Sequence, residues 1–203
     1  MLTRIVLALS LLVAAPLAAQ PAAPAEQLVR VTLDTDLGRI VLELDQGRAP
    51  VTTANFLKYV EGKRFDGQTF YRALKMGEGG LIQGGVRSDA RKLLPPIAHE
   101  PTSETGVRHL AGALSMARNE PGSATGDFSI MLSPQPFLDA DPASEDAERR
   151  AGYAAFGHVV EGMDVVRAIF DAPLDPEKGE GAMKGQMLAQ PVRIVSVRRI
   201  SAP

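Results

Sequence analysis

The chain has 203 residues, of which 45% are hydrophobic and 23% charged, a balance typical of one globular domain with a buried core. Its formal net charge of −2 gives no indication of nucleic acid or an anionic membrane as a partner. Because cysteine is absent, disulfides, thiolate nucleophiles and cysteine-type zinc sites are excluded.

The N-terminal segment has the pattern of a secretory signal peptide. Arg4 supplies a positive start, and residues 5–15 form an apolar run that small residues follow. The run is shorter than the roughly 20 residues that a bilayer-spanning helix needs, which favours a cleaved signal over an uncleaved anchor. We therefore predict a signal peptide at residues 1–19, with cleavage after Ala19 or Ala25.

The remaining chain is predicted to hold a flexible leader at residues 20–27 and one domain at residues 28–201. The domain opens with alternating apolar residues from Leu28 to Thr35 and from Arg39 to Leu44, which predicts a β-hairpin. A helix is predicted to begin near Pro50 and to end at Gly62, because proline at a first helical position costs no hydrogen bond.

A second pair of strands is predicted around a glycine-rich loop, at Thr69–Leu74 and Leu81–Gln83. The first of them contains a charged side chain, Arg72. One interpretation places Arg72 on a solvated face of the strand. The other places its guanidinium over a pocket, where it offers a rigid fork of donors that keeps its proton.

The second half of the chain alternates again and predicts further strands, a second helix that Gly162 opens, and helical turns in the charged insertion Asp141–Arg150. Residues 171–189 are polar and glycine-rich and are predicted to be a mobile loop. The further predicted strands are Leu110–Ala117, Asp127–Leu132, Tyr153–Val160 and Val192–Ile200. The pattern predicts an antiparallel barrel or sandwich with capping helices.

No metal site is predicted. His99 and Glu100 have the order found in zinc-protease helices, but position 103 is Ser and Pro101 would break the helix. The sequence also lacks Gly-x-Ser-x-Gly and the phosphate-binding glycine motifs, which leaves a hydrolase or nucleotide-binding function without support.

Four motifs occur in order along the chain: Phe70-x-Arg72, Gln83-Gly84-Gly85, Gly112-Ala113-Leu114-Ser115-Met116-Ala117 and Phe156-Gly157-His158-Val159. In these motifs the sequence resembles the cyclophilins, the cyclosporin-binding type of peptidyl-prolyl cis-trans isomerase, over roughly residues 29–200. The resemblance implies a mainly β fold, an eight-stranded antiparallel β-barrel capped by two α-helices, with a groove on the outer face of the barrel.

The resemblance also implies roles for single residues. Arg72 matches the catalytic arginine of the family, and Gln83 matches the glutamine that helps to orient it. The positions that match substrate-binding residues are Phe70, Leu81, Ala117, Asp127, Ser129, Phe137, Leu138 and Tyr153. No cofactor is implied, because rotation about an X-Pro bond makes and breaks no covalent bond.

The sequence departs from the family pattern in the pocket. The loop between Arg72 and Gln83 is three residues longer than usual, and Gly80 and Ser129 stand where phenylalanines are expected. Asp127 replaces a substrate-binding glutamine. Each missing phenylalanine removes roughly 1.5–3 kcal/mol of apolar contact.

These departures lead to two expectations. Leu74 or Met76 from the longer loop is expected to refill part of the pocket, which leaves an enzyme that is active but slower than typical members. Phe137 stands where many members have tryptophan, so weak binding of cyclosporin is also expected.

The resulting prediction is a peptidyl-prolyl isomerase that assists the folding of exported, proline-containing polypeptides in the periplasm. It is predicted to be a monomer that has no nucleic-acid partner and no membrane contact once the signal is cleaved. The alternative is a non-catalytic peptide-binding module or holdase, which Gly80 and Ser129 favour and which Arg72 and Gln83 oppose.

Overall fold

The computed structural model describes residues 27–77, 79–87 and 89–200. The predicted signal peptide therefore lies outside the described residues, as do residues 20–26 of the leader and residue 201. The strands are β1 Leu28–Thr35, β2 Gly38–Asp45, β3 Thr69–Met76, β4 Gly79–Gly85, β5 Ala113–Met116, β6 Asp127–Met131, β7 Ala155–Glu161, β8 Leu174–Asp175 and β9 Met187–Arg199. The α-helices are α1 Pro50–Glu61, α2 Thr102–Thr105, α3 Ala147–Ala151 and α4 Met163–Asp171.

Eight of the strands close into a barrel. They follow the order β1-β2-β7-β5-β6-β4-β3-β9, and β9 pairs back onto β1, so that every pairing is antiparallel. The short strand β8 pairs only with β9. The predicted eight-stranded antiparallel barrel is confirmed.

Aromatic side chains fill one part of the barrel core around Phe56 of α1. Its ring centroid lies 4.9 Å from that of Phe65, 5.3 Å from Phe128 and 5.4 Å from Phe156. All of these rings are fully buried, and ring contacts at such distances stabilise a core beyond the area they bury. The helical stripe that contains Phe56 is therefore a packing surface of the barrel.

The two longer helices cover opposite ends of the barrel. Helix α1 follows the end of β2, whereas α4 packs against the start of β2, where Val165 contacts Gly38. The carboxylate of Glu100 accepts hydrogen bonds from the first amides of α1, Val51 N–H at 3.0 Å and Thr52 N–H at 2.6 Å. Glu100 thus satisfies donors that a helix start leaves unpaired.

Two local predictions need correction, and one short helix was not predicted. Strand β5 begins at Ala113 rather than at Leu110, because Ala113 N–H donates to the Leu110 carbonyl and closes a turn. The segment 171–189 is not a loop throughout, since Met187 and Leu188 are buried and pair with β8. Helix α2 was not predicted, whereas α3 forms inside the charged insertion as expected.

None of the helices within residues 27–77, 79–87 and 89–200 combines the length and the apolar character that a bilayer crossing requires.

Candidate active site

A β-bulge in β3 organises the groove on the outer face of the barrel. Phe70 lies opposite Gly84 of β4, but Arg72 lies opposite Gln83, so Tyr71 is an extra residue in β3. Such an insertion re-aims the side chains around it. Phe70 points into the core, whereas Tyr71 and Arg72 both line the groove.

The guanidinium of Arg72 is held by two glutamines. Its Nη1 donates to Gln83 Oε1 at 2.7 Å. Its Nε and Nη2 both donate to Gln186 Oε1, at 2.9 Å and 2.6 Å. Three N–H donors of the guanidinium are thereby engaged, and its remaining N–H groups are available to a ligand.

Gln186 is anchored through both its side chain and its main chain. Its side-chain Nε2 donates to the Ala182 carbonyl at 2.6 Å, and its own main-chain carbonyl accepts from Ala73 N–H at 3.0 Å. The segment that precedes β9 is therefore tied to β3 directly beside Arg72. This anchoring fixes the acceptor oxygen, and the acceptor in turn fixes the guanidinium.

Arg72 presents a positive charge that its hydrogen-bond partners do not neutralise. Burial lowers the pKa of Arg72 from its ordinary value, since the charged form loses hydration. Both glutamines are neutral, and an arginine keeps its proton in proteins. The groove thus contains a permanently charged donor group held by neutral acceptors.

An apolar pocket lies beside Arg72. Leu81, Ala113 and Met131 form a buried cluster outside the barrel core, against which Leu74 and Leu138 pack. The whole groove has a volume of about 550 Å³, which is within the range of peptide and small-ligand sites. An apolar ring of a substrate fits this pocket.

Tyr71 and Asp127 form a polar wall of the groove. The Tyr71 hydroxyl donates to Asp127 Oδ2 at 2.8 Å. Burial raises the pKa of Tyr71, and the charge of Asp127 and the hydrogen bond to it raise it further. Burial also raises the pKa of Asp127, although the hydrogen bond from Tyr71 lowers it. The two side chains therefore behave as one hydrogen-bonded pair in a poorly hydrated wall.

The charged insertion contributes a third wall. The Arg118 guanidinium lies 4.3 Å from the centroid of the Tyr153 ring and pairs with Glu148 of α3 at 2.8 Å. It also donates to the Gly152 carbonyl at 2.5 Å. Only 1% of the Arg118 side chain is exposed, so α3 and Arg118 together fix the Tyr153 ring at the groove.

A buried chain of hydrogen bonds lies under the pocket. His109 Nδ1 contacts Asp139 Oδ1 at 2.7 Å, and His109 Nε2 contacts Ser115 Oγ at 2.8 Å. Burial lowers the pKa of His109, which outweighs the opposite effect of the Asp139 carboxylate. The neutral ring links β5 to the turn that carries Leu138, so it supports the pocket from below.

Comparison with known proteins identifies the family. A model of the family described as cyclophilin type peptidyl-prolyl cis-trans isomerase/CLD matches residues 29–199. The chain belongs to the cyclophilin family. This confirms the predicted enzyme class, peptidyl-prolyl cis-trans isomerase.

Curated relatives agree with this assignment, and a solved structure shares the fold. The chain is 39% identical over 153 residues to peptidyl-prolyl cis-trans isomerase A of Dickeya dadantii, covering 73% of this chain and 75% of the relative. It is 34% identical over 171 residues to a peptidyl-prolyl cis-trans isomerase of Acinetobacter baylyi, covering 83% and 84%. A crystal structure of a cyclophilin-type isomerase from Cryptosporidium parvum, at 20% identity, superposes with a TM-score of 0.67 over 87% of this chain and 99% of that chain.

Nearly all predicted site residues of this cyclophilin lie together. The groove is lined by Arg72, Leu81, Gln83, Ala117, Asp127, Ser129, Phe137, Leu138 and Tyr153. Phe70 is the exception and requires a correction: its side chain is fully buried in the barrel core, 5.8 Å from the Phe128 ring, and does not reach the groove.

The structure explains one departure from the cyclophilin pattern. Gly80 has a φ of +135°, and a Cβ at this position would lie 1.9 Å from the Leu74 carbonyl oxygen. Any side chain, including the expected phenylalanine, would therefore clash with β3. Leu74 does line the groove as predicted, but Met76 is not among the lining residues and is 44% exposed.

Sequence reasoning did not identify Tyr71, Arg118, Met131 or Met183 as groove residues, or Gln186 as a partner of Arg72. For Arg118 a signal was present, because it follows directly after Ala117 in a recognised motif. Gln186 and Met183 had no such signal, since they lie in a glycine-rich segment without periodicity.

Proposed function

We propose that this cyclophilin accelerates rotation about X-Pro bonds in exported polypeptides, and that Arg72 is its catalytic residue. The observation that carries the assignment of Arg72 is its geometry: a charged donor fork, held by Gln83 and Gln186, beside an apolar pocket. We also propose that the protein acts as a monomer in the periplasm after loss of residues 1–19.

The chemistry requires stabilisation of a twisted amide. The barrier to rotation is about 18–20 kcal/mol, because the planar peptide bond has partial double-bond character. As the bond twists, the prolyl nitrogen becomes pyramidal, and its lone pair, no longer delocalised into the carbonyl, can accept a hydrogen bond. A donor that binds this nitrogen stabilises the transition state more than either planar isomer, which is what acceleration requires.

Arg72 meets this requirement without preparatory proton transfer. Its guanidinium stays charged at neutral pH, and hydrogen bonds from charged donors are stronger than those from neutral ones. Because Gln83 and Gln186 hold the fork before the substrate arrives, little reorganisation is needed at the transition state.

The pocket beside Arg72 provides the second part of the mechanism. Leu81, Met131 and Leu138 offer an apolar surface on which the proline ring is expected to pack. Exclusion of water there strengthens the hydrogen bond from Arg72 to the amide. A related cyclophilin-type isomerase from Cryptosporidium parvum was crystallised in the presence of the dipeptide Ala-Pro, which supports proline-containing peptides as the substrate class.

Exchange NMR tests this proposal with a short Ala-Pro peptide and the full chain. Accelerated cis-trans exchange, together with faster refolding of a protein whose slow phase is a proline isomerisation, is the expected result. If the folded chain suppresses aggregation of unfolded protein but accelerates neither process, the holdase alternative replaces it.

Export is tested separately. Expression of the full chain in a Gram-negative host is expected to yield a periplasmic product that has lost the first 19 or 25 residues by mass. A chain lacking residues 1–19 is expected to stay in the cytoplasm. Retention of an intact N-terminus on the full chain would contradict cleavage.

A further inference from the structure

The groove extends past Tyr71 and Asp127 to a second region, here called the polar end. It is lined by Arg87, Leu93, Asn119, Ser123 and Thr125. None of these side chains takes part in the mechanism described above. Arg87 is the only one of the five that carries a charge, so it determines the electrostatics of the polar end.

Arg87 stacks on an aromatic ring and forms no ion pair within the described residues. Its guanidinium lies 4.7 Å from the centroid of the Tyr71 ring, and Nη1 lies 3.5 Å from the sulfur of Met187, a weak acceptor. Within residues 27–77, 79–87 and 89–200, no carboxylate forms an ion pair with Arg87. Most of its N–H donors thus remain free to bind a ligand.

Unlike Arg72, three other arginines form ion pairs. Arg118 pairs with Glu148 at 2.8 Å and Arg108 with Asp139 at 2.8 Å. Even the exposed Arg91, only four positions from Arg87 in the chain, pairs with Asp89 at 2.9 Å. Within the described residues, Arg87 therefore resembles Arg72, and differs from these three arginines, in forming no ion pair.

Asp127 is the carboxyl group that lines the groove, and it is already engaged. The Tyr71 hydroxyl donates to it, and burial raises its pKa, whereas the nearby charge of Arg87 acts in the opposite direction. The groove is also lined by Arg72, whose partners are neutral. Two arginines that form no ion pair within the described residues, Arg72 and Arg87, therefore line the groove together with one carboxyl group.

The strand register sets the distance between the pocket and Arg87. In the pairing of β4 with β6, Ser129 lies opposite Gln83, and Asp127, two residues before Ser129, lies opposite Gly85. Two residues of extended chain span about 7 Å, and an extended substrate advances at the same rate. Since Tyr71 contacts both Asp127 and Arg87, we expect a substrate side chain two or three residues from the proline to come close to Arg87.

From this geometry we propose that Arg87 forms a carboxylate-binding subsite, and that the enzyme prefers X-Pro segments with Asp or Glu two or three residues from the proline. This inference rests on the proposed isomerase function, because it names the class of substrate that the same groove selects.

The test compares peptides that contain one proline and differ at a single position. Glu, Gln or Lys is placed two or three residues before or after the proline, and kcat/KM is measured by exchange NMR. On at least one side, the Glu peptide is expected to exceed the Gln peptide by about two- to fivefold, the range of an exposed ion pair. The preference is expected to fall at high salt.

Variants assign the preference to Arg87. In Arg87→Gln the Glu-to-Gln ratio is expected to fall to one, and Arg87→Lys is expected to retain part of it. The matched control is Arg91→Gln, which changes an exposed arginine that is paired with Asp89, and it is expected to keep the full ratio. A ratio of one in the parent, or a ratio that survives Arg87→Gln, overturns the inference.

The same peptides separate this inference from the proposed function. If the parent accelerates the Glu and Gln peptides equally, the isomerase function stands and the subsite is rejected. If it accelerates neither peptide, the isomerase function is rejected, and the ratio of the two dissociation constants from NMR titration still decides whether Arg87 binds a carboxylate.

Discussion

The role of Gln186 leads to the sharpest prediction. Gln186→Ala removes two of the three hydrogen bonds that hold the Arg72 guanidinium and leaves only that from Gln83. Each hydrogen bond to a charged group contributes about 1.5–3 kcal/mol net. Two are lost here, but water is expected to replace part of them at this half-buried site. We therefore expect the transition state to lose about 1.5–3 kcal/mol, equivalent to about a 10- to 150-fold drop in kcat/KM.

The assay is exchange NMR of an Ala-Pro peptide over a range of peptide concentrations. Because the lost contacts act on Arg72 and not on the apolar pocket, kcat is expected to fall much more than KM changes. Gln186→Asn keeps a shorter amide and is expected to lose less activity. Gln190→Ala alters an exposed glutamine of β9, four residues after Gln186, and serves as the control. If folded Gln186→Ala stays within about twofold of the parent in kcat/KM, the positioning role is refuted.

Three further predictions concern neighbouring groups. Burial lowers the pKa of His109, so the unfolded chain binds more protons at low pH, and the free energy of unfolding is expected to fall as the pH drops below about 6.5. His109→Gln is expected to reduce this fall when the free energy of unfolding is measured by urea denaturation at each pH. Tyr71→Phe leaves Asp127 without its donor and is expected to cost about 1–3 kcal/mol in denaturant unfolding; an unchanged midpoint would contradict the bond. Phe137 is 50% exposed at the groove, and Phe137→Trp is expected to tighten cyclosporin binding in calorimetry, whereas equal affinity would show that this position does not limit it.

The barrel was predictable because its strands follow the two-residue period of a half-buried sheet. Val31 and Leu33 of β1 are fully buried in alternation with more exposed neighbours, as the sequence pattern indicates. An unbroken two-residue period would also put Phe70 and Arg72 on one face of β3, and the structure departs from it there. The extra residue at Tyr71 breaks the alternation, and no feature of the sequence marks the bulge.

Gln186 shows a different limit of sequence reasoning. It lies 114 residues from Arg72 in the chain, in a segment whose glycines indicate only turns. Its contact with Arg72 arises from the pairing of β3 with β9, which no local pattern encodes. Local periodicity predicts elements, but the partners of a catalytic side chain depend on closure of the barrel.

The central claim is that Arg72 supplies the acceleration, and one comparison tests it most directly. Cis-trans exchange of an X-Pro peptide is measured with the parent, with Arg72→Ala and with the control Arg91→Ala, after circular dichroism has shown that all three are folded. We expect Arg72→Ala to lose about two to three orders of magnitude of the acceleration, as for removal of one preorganised donor, while Arg91→Ala keeps it. A folded Arg72→Ala variant that retains the parent's rate would contradict the account.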